Sequence, residues 1–242
     1  MFSDVLGYHV EELRRGCDEF IAHGESSQFH VFALNLPKNQ LTQLNEDSID
    51  QLFRRLRQEF RIKPEDCPVF YLYDRDVLSY RRNELRGKYV MKYTDPYSND
   101  SGDQGQLLLS YPAVESFLLS CVMNQSYTHT ARLGKDAKSI LLQAVRTENE
   151  TLSRQTVDLV FPPDTDEAET RLVHAVSEMN AALESLGMKS YDLDHLGPVL
   201  LNVYDQQQIK YSSENTFSLI SLVAMAFLEL GIIEETDEGN PE

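Results

Sequence analysis

Residues 68–76 read Pro-Val-Phe-Tyr-Leu-Tyr-Asp-Arg-Asp. The five residues Val69–Tyr73 carry no polar break and are rich in aromatic and β-branched types, a strand signature. Unbroken apolarity, rather than alternation, predicts a strand covered on both faces, as in a parallel sheet. Asp74, Arg75 and Asp76 then close the run abruptly. In an extended chain alternate side chains share a face, so Asp74 and Asp76 point the same way. At the carboxyl edge of a parallel sheet that face opens on the crevice where α/β proteins bind ligands.

Outward from this strand, helical and extended patterns alternate. Residues 1–28 read as a helix with Val10, Leu13, Cys17, Phe20 and Ile21 on one stripe, and Gly24-Glu25-Ser26-Ser27 ends it. Phe29–Leu36 is a strand stopped by Pro37. Asn45 is placed to cap a helix whose apolar residues Ile49, Leu52, Phe53, Leu56 and Phe60 recur at helical spacing. Its opposite face carries Arg54, Arg55, Arg57 and Arg61. Tyr93–Gln104 is a polar loop and Gln106–Ser110 a second apolar strand. Pro112 can open a helix through Ala113, Val114, Phe117, Leu118 and Leu119. Helix-sized segments between the three strands predict right-handed crossovers and parallel pairing in one sheet.

The remainder reads as helical. Asp164 and Glu167 form a capping-box pattern before Leu172, Val176, Met179, Leu183 and Leu186, and Gly187 closes that helix. Phe217–Leu230 is apolar around most of its circumference, which predicts a buried helix. Residues 234–242 read as an acidic, disordered tail. The expected organisation is an α/β domain over 1–135, a helical extension packed on it over 136–233, and the tail.

Composition bounds the function. The 242 residues hold 22 Lys+Arg against 39 Asp+Glu, a net charge of −17. Such a chain repels a phosphate backbone at long range, so contact with nucleic acid needs a basic patch, a divalent cation or a basic partner. Cys17, Cys67 and Cys121 are sparse and unpaired in spacing, which fits a reducing compartment. No signal-like start is read at Met1–Asp4, and the apolar stretch 217–233 is short for a membrane span. A cytoplasmic protein without a membrane segment is the expectation.

Two neighbouring carboxylates repel unless a cation or a proton lies between them. Mg²⁺ or Mn²⁺ suits Asp74 and Asp76, because Mg²⁺ takes one or two carboxylates and keeps water or phosphate as its other ligands. The structural alternative has Asp74 hydrogen-bonding local backbone and Asp76 capping a helix that starts near Val77. Arg81 and Arg82 follow closely and are placed to meet a phosphate. Arg54, Arg55 and Arg57 are better explained as a solvated face paired with carboxylates. The six histidines show no metal-ligand spacing in sequence. Asp192-Leu193-Asp194-His195 reads as a turn or helix start before Gly197-Pro198, and Cys67 as an inert thiol.

The segment Val69–Leu119 resembles a Toprim domain, the topoisomerase–primase fold shared with overcoming-lysogenisation-defect nucleases. The matching strings are VFYLYDRD at 69–76 and LLLSYPAVESFLLS at 107–120. The second is similar to the strand and S-x-P-x-x-E-x-x-L segment of Toprim-like proteins encoded beside ATPases in bacterial phage-defence loci. The resemblance implies a Toprim-like parallel sheet flanked by helices. It implies that Asp74 and Asp76 hold the metal and that Glu115 is the later acidic residue of a catalytic site. A metal-dependent nuclease acting on nucleic-acid phosphodiesters follows from it, as does the alternative of a degenerate Toprim-like protein docked on a partner such as an ATPase. The family also places a glutamate at the end of a first strand, whereas this chain opens with what reads as the family's first helix.

Overall fold

The computed structural model describes residues 9–14, 19–23, 30–33, 46–75, 82–97, 104–145, 154–162, 165–188 and 196–233. It is a mixed α/β fold. Three strands come first, β1 (His9–Arg14), β2 (Glu19–His23) and β3 (His30–Ala33). They form an antiparallel meander in the order β1-β2-β3, with His9 opposite His23 and His23 opposite His30. The helix expected over residues 1–28 is therefore replaced, where described, by a hairpin. Ile21 and Ala22 are adjacent in sequence and both buried, and neighbours on a strand point to opposite faces, so both faces of β2 are covered.

Helix α1 (Glu46–Glu59) buries the expected stripe of Ile49, Phe53 and Leu56. It is tied to the meander by Arg55, whose guanidinium makes two bonds of 2.6 and 2.5 Å to the buried Glu19 carboxylate.

The second sheet is built on β6 (Gly105–Tyr111), every residue of which is buried. Strand β4 (Phe70–Asp74) pairs parallel to it, from Phe70 opposite Gln106 to Asp74 opposite Ser110. On the other side of β6 lie two short antiparallel partners. These are β5 (Thr94–Asp95) at the start of β6 and β9 (Ile220–Ser221) at its end. The expectation of three neighbouring parallel strands is thus corrected. Among the described residues of the Phe29–Leu36 run, His30–Ala33 pair antiparallel in the first sheet, because the hairpin before them supplies an antiparallel partner. The strand buried on both faces is β6, not β4. Leu72 is 54% exposed at the centre of β4, which among the described strands is the sheet edge.

Close approach at the start of β6 requires glycine. Gly105 has φ +109°, and a Cβ there would lie 2.2 Å from the Tyr71 ring. That ring also donates from its hydroxyl to the Gln104 carbonyl at 2.9 Å.

Helix α2 (Arg82–Leu85) runs into a π-helical turn, Arg86–Val90. After β6 come the short helix α3 (Glu115–Ser120), starting three residues beyond Pro112, and α4 (Gly134–Ala144). Then follow α5 (Arg154–Val160), α6 (Thr165–Ser185) and α7 (Leu196–Glu214). Helix α6 buries Leu172, Val176, Met179 and Leu183 as its periodicity predicts. Gly187, at φ +74°, ends it in a Schellman turn, with Met188 N–H bonded to Leu183 O at 3.0 Å and Gly187 N–H to Glu184 O at 2.8 Å.

The expected helix over Phe217–Leu230 is corrected to two short strands and a short helix. Strand β8 (Phe217–Ser218) pairs with β7 (Thr130–Ala131), β9 joins β6, and only α8 (Val223–Glu229) is helical. The segment is buried as expected, with Phe217, Leu219 and Leu222 nearly inaccessible. Tertiary pairing with Ala131 and Tyr111 overrides its helical propensity. The expected boundary at 135/136 falls inside α4, and residues from both sides of it share one hydrophobic core. Asn45, Gly24–Ser27, Asp164, Asp192–His195 and the 234–242 tail lie outside the described residues.

Candidate functional site at the sheet edge

Strand β4 ends at Asp74, which is exposed. Its Oδ1 accepts the Val114 N–H at 2.8 Å. Val114 is the N-cap residue of α3, so the carboxylate sits against the positive end of that helix. Glu115, half-buried, is the first residue of α3. The sequence-predicted Asp74 and Glu115 are therefore brought to one sheet edge by a bond spanning 40 residues. Of the two roles weighed for Asp74, backbone hydrogen bonding is present, although its partner is distant in sequence rather than local. A cation here would share Asp74 with the Val114 N–H. Asp76 and Arg81 lie outside the described residues; Arg82 opens α2.

Arg75, the middle residue of the motif, is the one that sequence reasoning missed. It is 4% exposed. Alternation sends it to the face opposite Asp74, where α7 covers the sheet. Its backbone N–H donates to Ser110 O at 2.9 Å. Its guanidinium donates to Gln208 Oε1 at 3.4 Å and lies 5.8 Å from the centroid of the Phe217 ring. Tyr111, fully buried beside this group, has its phenol pushed well above the ordinary range by desolvation, with the Arg75 charge opposing that shift. Nearby, Arg86 grips Asp205 of α7 through bonds of 2.8 to 3.2 Å, and Asp205 raises the pKa of Arg86. The motif therefore divides: Asp74 faces the edge, and Arg75 locks β4 to α7. An arginine between two acids gives no sequence signal for burial, because the facing Gln208 is 133 residues away.

The arginines of α1 pair as expected. Arg54 lies 4.0 Å from Asp50, Arg55 bridges Glu19 and Glu59, and Arg57 meets Glu65 at 3.0 Å. The Cys67 thiol is pushed up by burial and by the charges of Asp66 and Glu65, which disfavours the reactive thiolate.

A shallow cavity of about 240 Å³ is lined by Cys121, Val122, Thr170, Arg171 and His174. Both His174 ring nitrogens face oxygens, Ser120 O at 2.6 Å and Asn124 Oδ1 at 2.7 Å. Burial raises the Cys121 thiol, so this cavity offers no ready nucleophile.

Among the described residues, no three His, Cys, Asp or Glu side chains stand at metal-ligating geometry, and no helix is long and apolar enough to cross a membrane. No family model, curated protein or solved structure matches the chain.

Proposed function

We propose that this chain is a Toprim-like protein that binds Mg²⁺ or Mn²⁺ at the carboxyl edge of its parallel strand pair and acts there on nucleic-acid phosphodiesters. Asp74 and Asp76 hold the cation, Glu115 assists from the start of α3, and Arg81 or Arg82 steadies a phosphate. One observation carries the reading: the Asp74–Val114 bond joins the end of a parallel strand to the turn bearing Glu115. Asp74 and Glu115 would offer a hard cation anionic oxygens, with water or phosphate as its other ligands, and their charge has to outweigh the positive end of α3. In such a site the cation supplies charge stabilisation of the phosphoryl oxygens and activation of water. The chain's own groups orient it and move protons.

A second reading, a non-catalytic scaffold that docks on a partner such as an ATPase, is favoured by the meander. Toprim enzymes carry an acid/base glutamate on a first strand, but Glu19 here is buried in an ion pair with Arg55. Calorimetry with Mn²⁺, alongside cleavage assays on DNA and RNA, separates the two. The proposal expects Mn²⁺ binding that Glu115→Gln weakens and slow, Mn²⁺-dependent cleavage. Absence of any Mn²⁺ binding would leave the docking scaffold as the reading.

A further inference from the structure

Three of the chain's six histidines fall on one row of the meander. His9 on β1 stands opposite His23 on β2, which stands opposite His30 on β3. Directly opposed residues of antiparallel strands share a face. Glu11 shares that face with His9, two positions along β1.

The side chains of the first pair converge on this carboxylate. Glu11 Oε1 lies 3.2 Å from His9 Nε2, and Glu11 Oε2 lies 4.0 Å from His23 Nε2. The two imidazole rings are 6.2 Å apart at their centroids, with planes 27° from parallel. From this cluster we infer a second cation site, distinct from the sheet edge, in which His9, His23 and Glu11 bind a borderline divalent metal of the Zn²⁺ class.

Ligand chemistry selects the metal. Two imidazoles and one carboxylate suit Zn²⁺, Co²⁺ or Ni²⁺, whereas Mg²⁺ prefers oxygen alone. Geometry sets what must move. With metal–ligand distances of about 2.0–2.1 Å, tetrahedral ligand atoms stand roughly 3.3 Å from one another. The three side chains do not yet stand at ligating geometry: His9 Nε2 lies 3.2 Å from Glu11 Oε1, whereas His23 Nε2 lies 4.0 Å from the other oxygen, Oε2, so the carboxylate must bind through both oxygens, or turn, as the His23 ring swings inward. Rings bound through Nε2 to one tetrahedral ion have centroids about 5 Å apart, again about 1 Å closer than here. Side chains 76%, 58% and 33% exposed, for His9, Glu11 and His23, make that shift by small χ rotations. The backbone row supplies the coarse placement, and the ion closes the ligands on itself. Without metal, the same groups form an ordinary solvent-screened ion pair when the histidines are protonated.

The test is calorimetric titration of Zn²⁺ into the whole chain, stripped of metal beforehand, at pH 7.5. In Asp74→Asn, which lacks the sheet-edge carboxylate, one equivalent should bind. His9→Gln and His23→Gln should each weaken it by about tenfold or more, while His129→Ala leaves it unchanged. Co²⁺ should show the visible absorption of a four-coordinate site and lose it in His9→Gln. His9 lies at the surface, so its replacement does not threaten folding, and it decides the matter alone if His23→Gln misfolds. Less than one equivalent bound, or equal affinity in the His9 variant, overturns the site. Loss of Zn²⁺ binding in Asp74→Asn also overturns it, by moving the metal to the sheet edge.

Discussion

Replacing Asp74 by alanine and by asparagine separates its two roles. Alanine removes the acceptor for the Val114 N–H at the start of α3. Loss of such a cap costs about 0.5–2 kcal/mol. Unfolding entropy near 2.1 cal/mol/K per residue gives about 0.5 kcal/mol/K for 242 residues. The expected fall in Tm is therefore about 1–4 °C without metal. Asparagine keeps an oxygen for Val114 and removes the negative charge beside Glu115. Its metal-free Tm should equal the parent's or slightly exceed it. With Mg²⁺ at ten times its Kd, binding adds RT ln 11, about 1.4 kcal/mol, or roughly 3 °C. That rise should appear in the parent and vanish in Asp74→Asn. Thermal melts followed by circular dichroism, with EDTA and with Mg²⁺, give all four values. An undiminished Mg²⁺ rise in Asp74→Asn removes the cation from this carboxylate, and an Asp74→Ala melt matching the parent removes the cap.

Two further outcomes test the frame around the site. Gly105→Ala places a Cβ against the Tyr71 ring at φ +109°; backbone strain and overpacking together cost about 2–6 kcal/mol, and a variant melting within a degree of the parent would contradict the close approach. Desolvation raises the phenol pKa of both Tyr71 and Tyr111 above the unfolded value. Because the folded pKa is the higher one, stability is full below about pH 10 and declines above it, by up to about 1.4 kcal/mol per pH unit for each ring. Denaturant unfolding followed from pH 8 to 12 measures this, and a flat profile refutes it.

The legible parts of the chain are those where local pattern and tertiary demand agree. Leu172, Val176, Met179 and Leu183 repeat at helical spacing over about three turns, and one core face is their natural outcome. The apolar strings at Phe70–Tyr73 and Leu107–Leu109 identify paired strands for the same reason. The amino-terminal segment was ambiguous. Val10, Leu13, Phe20 and Ile21 satisfy a helical stripe, yet the same residues fit a hairpin, and the decision rests on burial against α1 through Glu19 and Arg55. Residues 217–221 read Phe-Ser-Leu-Ile-Ser, too short to register as strands without their partners. At the sheet edge, the sequence singled out Asp74 and Glu115 as candidates, and the fold brings them to one edge, whereas the inward turn of Arg75 depends on α7. The histidine row was invisible for a related reason: separations of 23 − 9 = 14 and 30 − 23 = 7 acquire meaning only once the meander's register is known.

The pairing of β9 with β6 has a kinetic consequence. Ser110 and Ser221 share a 2.9 Å hydroxyl contact across 111 residues of chain. At about 5–20 residues per second of synthesis, β6 emerges roughly 5–20 s before the strand that completes its far end. Until then Tyr111 and Leu109 lack their cover, and the far end of the sheet waits on residues 220–221. Such long-range closure slows folding and leaves a sticky strand exposed during the delay. Nascent chains stalled before residue 217 should therefore engage holdase chaperones, and emergence of residues 217–229 should free them.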